Sequence, residues 1–278
     1  MSTKKNFNTY NIAIIGVGGT GGLLTGILSR YLYSVKASND AVAFNIALVD
    51  ADRVSESNIS RQPFLPGEVG QFKTDCLSEA MREIYSLNVT SVPEYINSPA
   101  DIKKVFSFCK NIGAARSAWL YDEYVHNILI GCVDNHRARQ EMHKYFDKWE
   151  TDSDKYDLYY IDSANEYDYA TCICGYRDCN GEHTPPRAFF FPNILEDKGK
   201  SASELSCGEV NVSAPQHLIT NQMAANVILS KLVSFITENK TCFGVTYMYP
   251  FKCEMVHRDE TSFGLEAGQY HEMWKGRL

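Results

Sequence analysis

Asn11-Ile-Ala-Ile-Ile15, followed directly by Gly16-Val-Gly-Gly-Thr-Gly21, is the stretch that decides the fold. The apolar run is short and closed by glycine, the pattern of a strand buried on both faces. Beyond the glycines, Leu23, Leu24, Ile27, Leu28 and Tyr31 recur at helical spacing. The unit is therefore strand, glycine-rich turn, helix. Such glycines let a phosphate approach the backbone, and the helix N-terminus offers N–H groups and the positive end of its dipole. Tight strand–helix packing accounts for the same glycines without a ligand.

The alternation continues outward. After the polar connection Ser34–Asp40, Phe44–Val49 reads as a second buried strand ending at Asp50. Ala51–Gly70 is long, polar and unpatterned, as functional loops are. From Thr74, an expected N-cap, Leu77, Ala80, Met81, Ile84 and Leu87 mark a helix. Val89–Val92 reads as a strand, Ile102 to Cys109 as a short helix, and His126–Val133 as a strand ending at Asp134. A helix from Arg137 to Trp149 and a strand at Leu158–Ile161 follow. The fold class is α/β, Rossmann-like, a mostly parallel sheet with helices on both faces.

An irregular C-terminal extension is expected to follow. It holds a strand or hairpin at Tyr167–Tyr176, a crossing loop at Arg177–Ser206, a long helix at Ala214–Asn239 and a terminal strand pair at Thr241–Met248 and Phe251–Val256. Residues 1–165 are read as the nucleotide-binding domain and 166–278 as the extension packed on the same fold. The breadth of the long helix's apolar face, with Leu218, Ala225, Leu229, Leu232 and Ile236, points to burial at a core or a subunit interface.

The 278 residues carry 27 Lys+Arg against 34 Asp+Glu, a formal net charge of -7. That excludes nucleic-acid binding driven by overall charge. No run approaches the roughly 18 apolar residues of a membrane helix, and the polar Met1–Tyr10 reads as no secretory signal. Nine cysteines are too sparse for a disulfide scaffold, and their number is odd, so a reduced, cytoplasmic setting is expected.

Chemistry concentrates after the strands. A dinucleotide site expects an acid at the end of the second strand, and Asp50 stands there. So far a nicotinamide enzyme and an ATP user are equally served. Asp52, Asn58, Arg61, Gln62 and Lys73 separate them, because a triphosphate needs its charge neutralised where the phosphates lie. Asp134, followed by Asn135, is placed to hold magnesium near those phosphates. Singly, each has an ordinary reading: Arg61 and Lys73 as solvated charges, Asp134 as a helix cap, Asn58 as a turn former. Their convergence on the carboxyl ends of the strands favours a site.

This constellation resembles the ThiF/MoeB/HesA family, prokaryotic relatives of ubiquitin-activating enzymes. The matching elements are the glycine turn at Gly16–Gly21, Asp50 and Asp52, Asn58 to Gln62, Lys73, and Asp134 with Asn135. Ser206-Cys207-Gly-Glu-Val210 is similar to the family's cysteine loop. Gln216 to Met223 and the overall length are similar to the ThiF-like proteins of the PRTRC system, found on mobile elements. The resemblance implies adenylation of a carboxylate, usually the Gly-Gly end of a ubiquitin-like or sulfur-carrier protein, with release of pyrophosphate.

It further implies Gly16, Gly18, Gly19 and Gly21 at the nucleotide, Asp50 at the ribose with Asp52 beside it, and Asn58, Arg61 and Lys73 at the phosphates. Asp134, flanked by Asn135, would hold magnesium, and Cys207 would stand where some members carry a thioester or persulfide. The implied partners are ATP, a carboxylate-bearing protein and a second copy of the chain; no membrane or nucleic acid is expected.

Two departures stand out. Family members often receive an arginine from a helix before the first strand of the partner subunit, whereas this N-terminus offers Lys4 and Lys5. The family's zinc uses paired C-x-x-C, whereas this chain has Cys172, Cys174, Cys179 and His183, then Cys242 and Cys253. Strand alternation explains Cys172 and Cys174, and zinc is not expected. Around Cys207, Glu209 opposes a thiolate unless the loop brings Arg187 or Lys200 near. A nicotinamide oxidoreductase and a non-catalytic nucleotide-binding partner are the competing readings.

Overall fold

The computed structural model describes residues 5–111, 121–151, 153–180, 183–198, 216–240 and 242–259. In chain order these form β1 (Lys5–Ile15), α1 (Gly19–Ser38), β2 (Val42–Val49), α2 (Lys73–Tyr85), β3 (Asn88–Val92), α3 (Pro99–Asn111), β4 (Tyr121–Gly131) and α4 (His136–Asp147). There follow β5 (Tyr156–Asn165), β6 (Ala170–Asp178), β7 (His183–Thr184), the short turns α5 (Arg187–Phe190) and α6 (Asn193–Glu196), α7 (Leu218–Glu238), β8 (Gly244–Tyr249) and β9 (Glu254–Arg258).

The described strands make one nine-stranded sheet in the order β3-β2-β1-β4-β5-β6-β8-β9, with β7 beside β6. From β3 to β5 every pairing is parallel; from β5 onward every pairing is antiparallel. Alternation along each strand feeds two cores. Ile12 and Ile14 join Leu24, Leu28, Met81, Ala225, Ile228 and Leu232 under α1, α2 and α7. Ala13 and Ile15 join Ile102, Val105, Met142 and Phe146 under α3 and α4. Because α1 and α3 lie on opposite faces, the chain reverses at the β1–β4 boundary, and a crevice opens at the carboxyl ends of those strands.

A polar row crosses the parallel half. Asn88 donates to Asn45 at 2.8 Å, Asn45 to Asn11 at 2.9 Å, and Asn11 to Asn127 at 3.1 Å. Each carboxamide satisfies its neighbour, so the row is affordable only in one register, and it fixes that register.

The extension is continuous with the sheet. Cys172 and Cys174 point together into the core under α7, at 0% and 3% exposure, and burial pushes their thiols up to about 11 and about 12. The apolar face of α7 is largely consumed by α1, β5, β6 and β8, with Ala225 and Leu232 buried, while Leu218 remains 46% exposed. The expected cap at Thr74 is displaced. Phe72 is the cap residue, and Thr74 is buried inside α2, accepting from the Ser91 hydroxyl at 2.9 Å. The helix starts earlier because Lys73 N–H bonds the Asp52 carbonyl.

Candidate active site

The glycine turn joins β1 to α1 by direct backbone contact. Gly16 has φ +84°, and a Cβ there would sit 2.7 Å from the Cys132 carbonyl oxygen. At Gly21 a Cβ would overlap the Gly16 carbonyl oxygen. Both positions require glycine for packing. The neighbours of Gly18 and Gly19 are instead side chains, Gln62 at Gly18, and Asn221 with the Gln216 Oε1 at Gly19. Gly18 caps α1 without a side-chain hydrogen bond, and no acid occupies the first turn. The N–H groups and positive dipole end of that turn suit an anion.

The loop after β2 brings charge to the turn. Asp50 accepts the Val17 N–H through Oδ2 and the Asp52 N–H through Oδ1, both at 2.9 Å, tying β2 to the glycines. Burial pushes its carboxyl above the ordinary range, with the Lys73 charge pulling the other way. Lys73, at the start of α2 and only 6% exposed in its side chain, donates to Asp52 Oδ2 at 2.9 Å. Tyr95 donates to Asp52 Oδ1 at 2.8 Å. Burial acts to raise Asp52, but the Lys73 charge and the two hydrogen bonds outweigh it, and the carboxyl lies below its ordinary value. Tyr95 is pushed up by burial first, then by Asp52, Asp50 and Asp134. Of the three carboxylates, Asp52 is the one in contact with this hydroxyl.

Asn58 is buried and accepts the Ser55 N–H at 3.0 Å, while its carbonyl accepts the Arg61 and Gln62 N–H groups. It shapes the turn that presents the next two side chains. Arg61 is half-buried and has no side-chain hydrogen bond or ion pair among the described residues. Gln62 is buried beside Gly18, and its Oε1 has no partner among the described residues.

Asp134 is exposed in the connection between β4 and α4, and its carboxylate has no partner among the described residues. It is not the helix cap. Asn135 takes that role, accepting the Ala138 N–H at 2.8 Å. Arg139 braces the connection by donating to the Val133 carbonyl and, at 3.0 Å, to the Ser163 carbonyl. Its Nε lies 3.3 Å from Asp162, whose other oxygen is 2.8 Å from Arg187 Nε. Arg187 is buried on Asp162 and Thr171, so it is committed there rather than free for the cysteine loop.

Cys207, with Ser206, Gly208, Glu209, Val210 and Lys200, lies outside the described residues, as do Lys4 and the Lys275–Leu278 terminus. Cys179 is half-buried beyond β6. Among the described residues no group of three or more His, Cys, Asp and Glu is arranged to hold a metal ion, and no helix is long and apolar enough to cross a membrane.

Sequence reasoning missed four contributors: Tyr95, which holds Asp52, and the trio Thr20, Asn165 and Asn221 at the first turn of α1. The visible signal was a polar Thr220-Asn221-Gln222 at the head of an apolar helix pattern.

The ThiF family model matches residues 2–150. Ubiquitin-like modifier-activating enzyme 5 of Oryza sativa subsp. japonica is 28% identical over 143 residues, 49% of this chain and 29% of that protein. The Mus musculus enzyme of the same name is 26% identical over 142 residues, 51% of this chain and 32% of that protein. The chain spans less than a third of these curated relatives. Among solved structures, that of PaaA has a TM-score of 0.58 at 17% identity, covering 90% of this chain and 72% of that one. Escherichia coli MccB with ATP has a TM-score of 0.54 at 15% identity, covering 92% and 64%. These structures agree in fold. The family match spans more than half of the chain, from before the glycine turn to beyond Asp134, and the chain belongs to the ThiF family.

Proposed function

We propose that this protein is an ATP-dependent adenylyltransferase acting on a carboxylate, the C-terminus of a ubiquitin-like protein or peptide. One observation carries the reading: Arg61 and Lys73 stand after β2, beside an uncapped glycine-turn helix and an acid pair. Two cations there suit a triphosphate and have no task in hydride transfer.

In the proposed reaction a carboxylate oxygen attacks the α-phosphorus. A new P–O bond forms, the bond to the β-phosphate oxygen breaks, and that electron pair leaves with pyrophosphate. The chain's part is placement and charge neutralisation more than proton transfer. Gly18 and Gly19 receive the phosphates on a turn that Gly16 and Gly21 hold in shape, and Asp50 meets the ribose through lone pairs its backbone donors leave free. Arg61 and Lys73 neutralise the phosphates, Asn58 sets their loop, and Asp52 with Tyr95 holds Lys73 until the nucleotide arrives.

The partnerless carboxylate of Asp134 fits a magnesium ion, which uses one or two carboxylates plus substrate phosphates. When bound, that ion supplies charge compensation at the phosphate oxygens. The division at residue 165 separates the part carrying these groups from an extension that completes the pocket through α7. A second copy of the chain, a PRTRC-type setting, a cytoplasmic location and a further step on Cys207 belong to the same proposal.

Calorimetry tests it. Magnesium-ATP is expected to bind wild type and to bind far more weakly to Arg61→Ala and Asp134→Ala, with NAD not binding. NAD binding, or ATP binding indifferent to both changes, overturns the assignment. Exchange of labelled pyrophosphate into ATP, dependent on a carboxylate partner, separates an enzyme from a binding subunit.

A further inference from the structure

The amide of Asn221 is fully buried yet half unused. Its Oδ1 accepts from the Thr20 hydroxyl at 3.3 Å and from Asn165 Nδ2 at 3.0 Å. Asn165 Nδ2 also donates to Thr20 Oγ1, and Asn165 Oδ1 accepts the Ser163 hydroxyl at 3.0 Å. This order of donors and acceptors orients the Asn221 carboxamide with its oxygen toward β5. Nδ2 is thereby turned toward Gly19, where a Cβ would overlap it. Asn221 is 0% exposed, and Nδ2 has no hydrogen-bond partner among the described residues.

A buried amide donor left unpaired costs stability, and a three-residue network that holds it in that orientation needs a reason. Gly19 is the first residue of α1, whose N-terminus has no side-chain cap. A donor added from α7 at that point supplements the turn's own N–H groups.

We propose that Asn221 is a binding residue whose Nδ2 donates to an anionic oxygen, a phosphate oxygen of the nucleotide, held at the first turn of α1, with Asn165 and Thr20 as its positioning residues. The proposal rests on the nucleotide reading above and deepens it: the site is closed by α7 as well as by the loop after β2.

Two variants test it by calorimetry with magnesium-ATP and with adenosine. Asn221→Asp keeps the shape and replaces the donor by a negative oxygen. Asn165→Asp, at a half-buried position, accepts from Asn221 Nδ2 instead of donating to its oxygen, and so turns the amide away from Gly19. Each is expected to lose about tenfold or more in ATP affinity while adenosine affinity stays at the wild-type value. Thermal unfolding confirms that each variant is folded; where Asn221→Asp is not, Asn165→Asp decides.

ATP affinity within about twofold of wild type for Asn165→Asp overturns the proposal while leaving the adenylation reading intact. An equal loss for adenosine also overturns it, since that marks general damage to the pocket. Failure of wild type to bind ATP removes both readings together. Weakening confined to a carboxylate substrate, with ATP unaffected, overturns the phosphate assignment and makes the acceptor carboxylate the ligand.

Discussion

Replacing Arg61 and Lys73 one at a time should separate binding from stability, because the two cations are held differently before any ligand arrives. Lys73 has a side chain 6% exposed and an Nζ 2.9 Å from Asp52 Oδ2. Removing one partner of a buried pair costs about 3–5 kcal/mol. Asp52, however, keeps 43% of its side chain exposed to solvent, and Tyr95 still donates to its other oxygen. Water and that hydroxyl recover much of the loss, so Lys73→Met should cost about 1–2 kcal/mol. For a chain of this size that lowers Tm by about 2–4 °C.

Arg61, half-buried with no side-chain partner among the described residues, stabilises little. Arg61→Ala should stay within about 0.5 kcal/mol of wild type. Both variants should lose about 10–100-fold in ATP affinity, the worth of one charge-assisted hydrogen bond at 1.4 kcal/mol per decade. Thermal unfolding and calorimetry on the same samples give both numbers. A Tm loss for Arg61→Ala as large as that for Lys73→Met, with ATP affinity unchanged, would refute the reasoning.

The acid range offers a second test. The folded-state value of Asp52 lies below its ordinary 3.8, so its contribution is present above the unfolded value and lost as pH falls through the folded one. The stability gap between wild type and Asp52→Asn, read by urea unfolding, should be full at neutral pH and close below 3.8. Asp162, 1% exposed between Arg139 and Arg187, should be costly to neutralise. Asp162→Asn strands two buried guanidinium groups and is expected to lose about 3 kcal/mol or more in urea. Asn11→Leu breaks the polar row, leaving Asn45 Nδ2 and Asn127 Oδ1 unpaired. It should cost about 2–4 kcal/mol without changing ATP affinity, because the row lies far down β1 from the turn.

The parallel half of the fold was legible because its strands are buried on both faces. Asn11–Ile15, Phe44–Val49 and His126–Val133 are short apolar runs that each end where the structure ends a strand, within a few residues. The antiparallel half was harder. Ala170–Asp178 mixes Thr, Cys, Gly and Tyr, and its pairing with β5 on one side and β8 on the other comes from contacts remote in sequence. The start of α2 was misplaced for a similar reason: a backbone bond from Lys73 to Asp52, distant along the chain, overrode the local capping preference of Thr74.

The candidate site divides along the same line. Asp50, Asp52 and Asp134 are acids that closely follow strands, and Arg61 and Lys73 are cations in and at the end of the long loop after β2, so residue type and position along the chain are enough to mark them. Tyr95 and Asn221 follow no such rule. A tyrosine after β3 and an asparagine in the first turn of a long apolar helix have many ordinary uses, and only the fold brings one to Asp52 and the other to Gly19. Sequence-local logic therefore finds the charged groups proposed to meet the nucleotide. Tyr95 and Asn221 reach the site from elements distant in sequence, Tyr95 through a hydrogen bond already made to Asp52 and Asn221 through one still unmet, its free Nδ2.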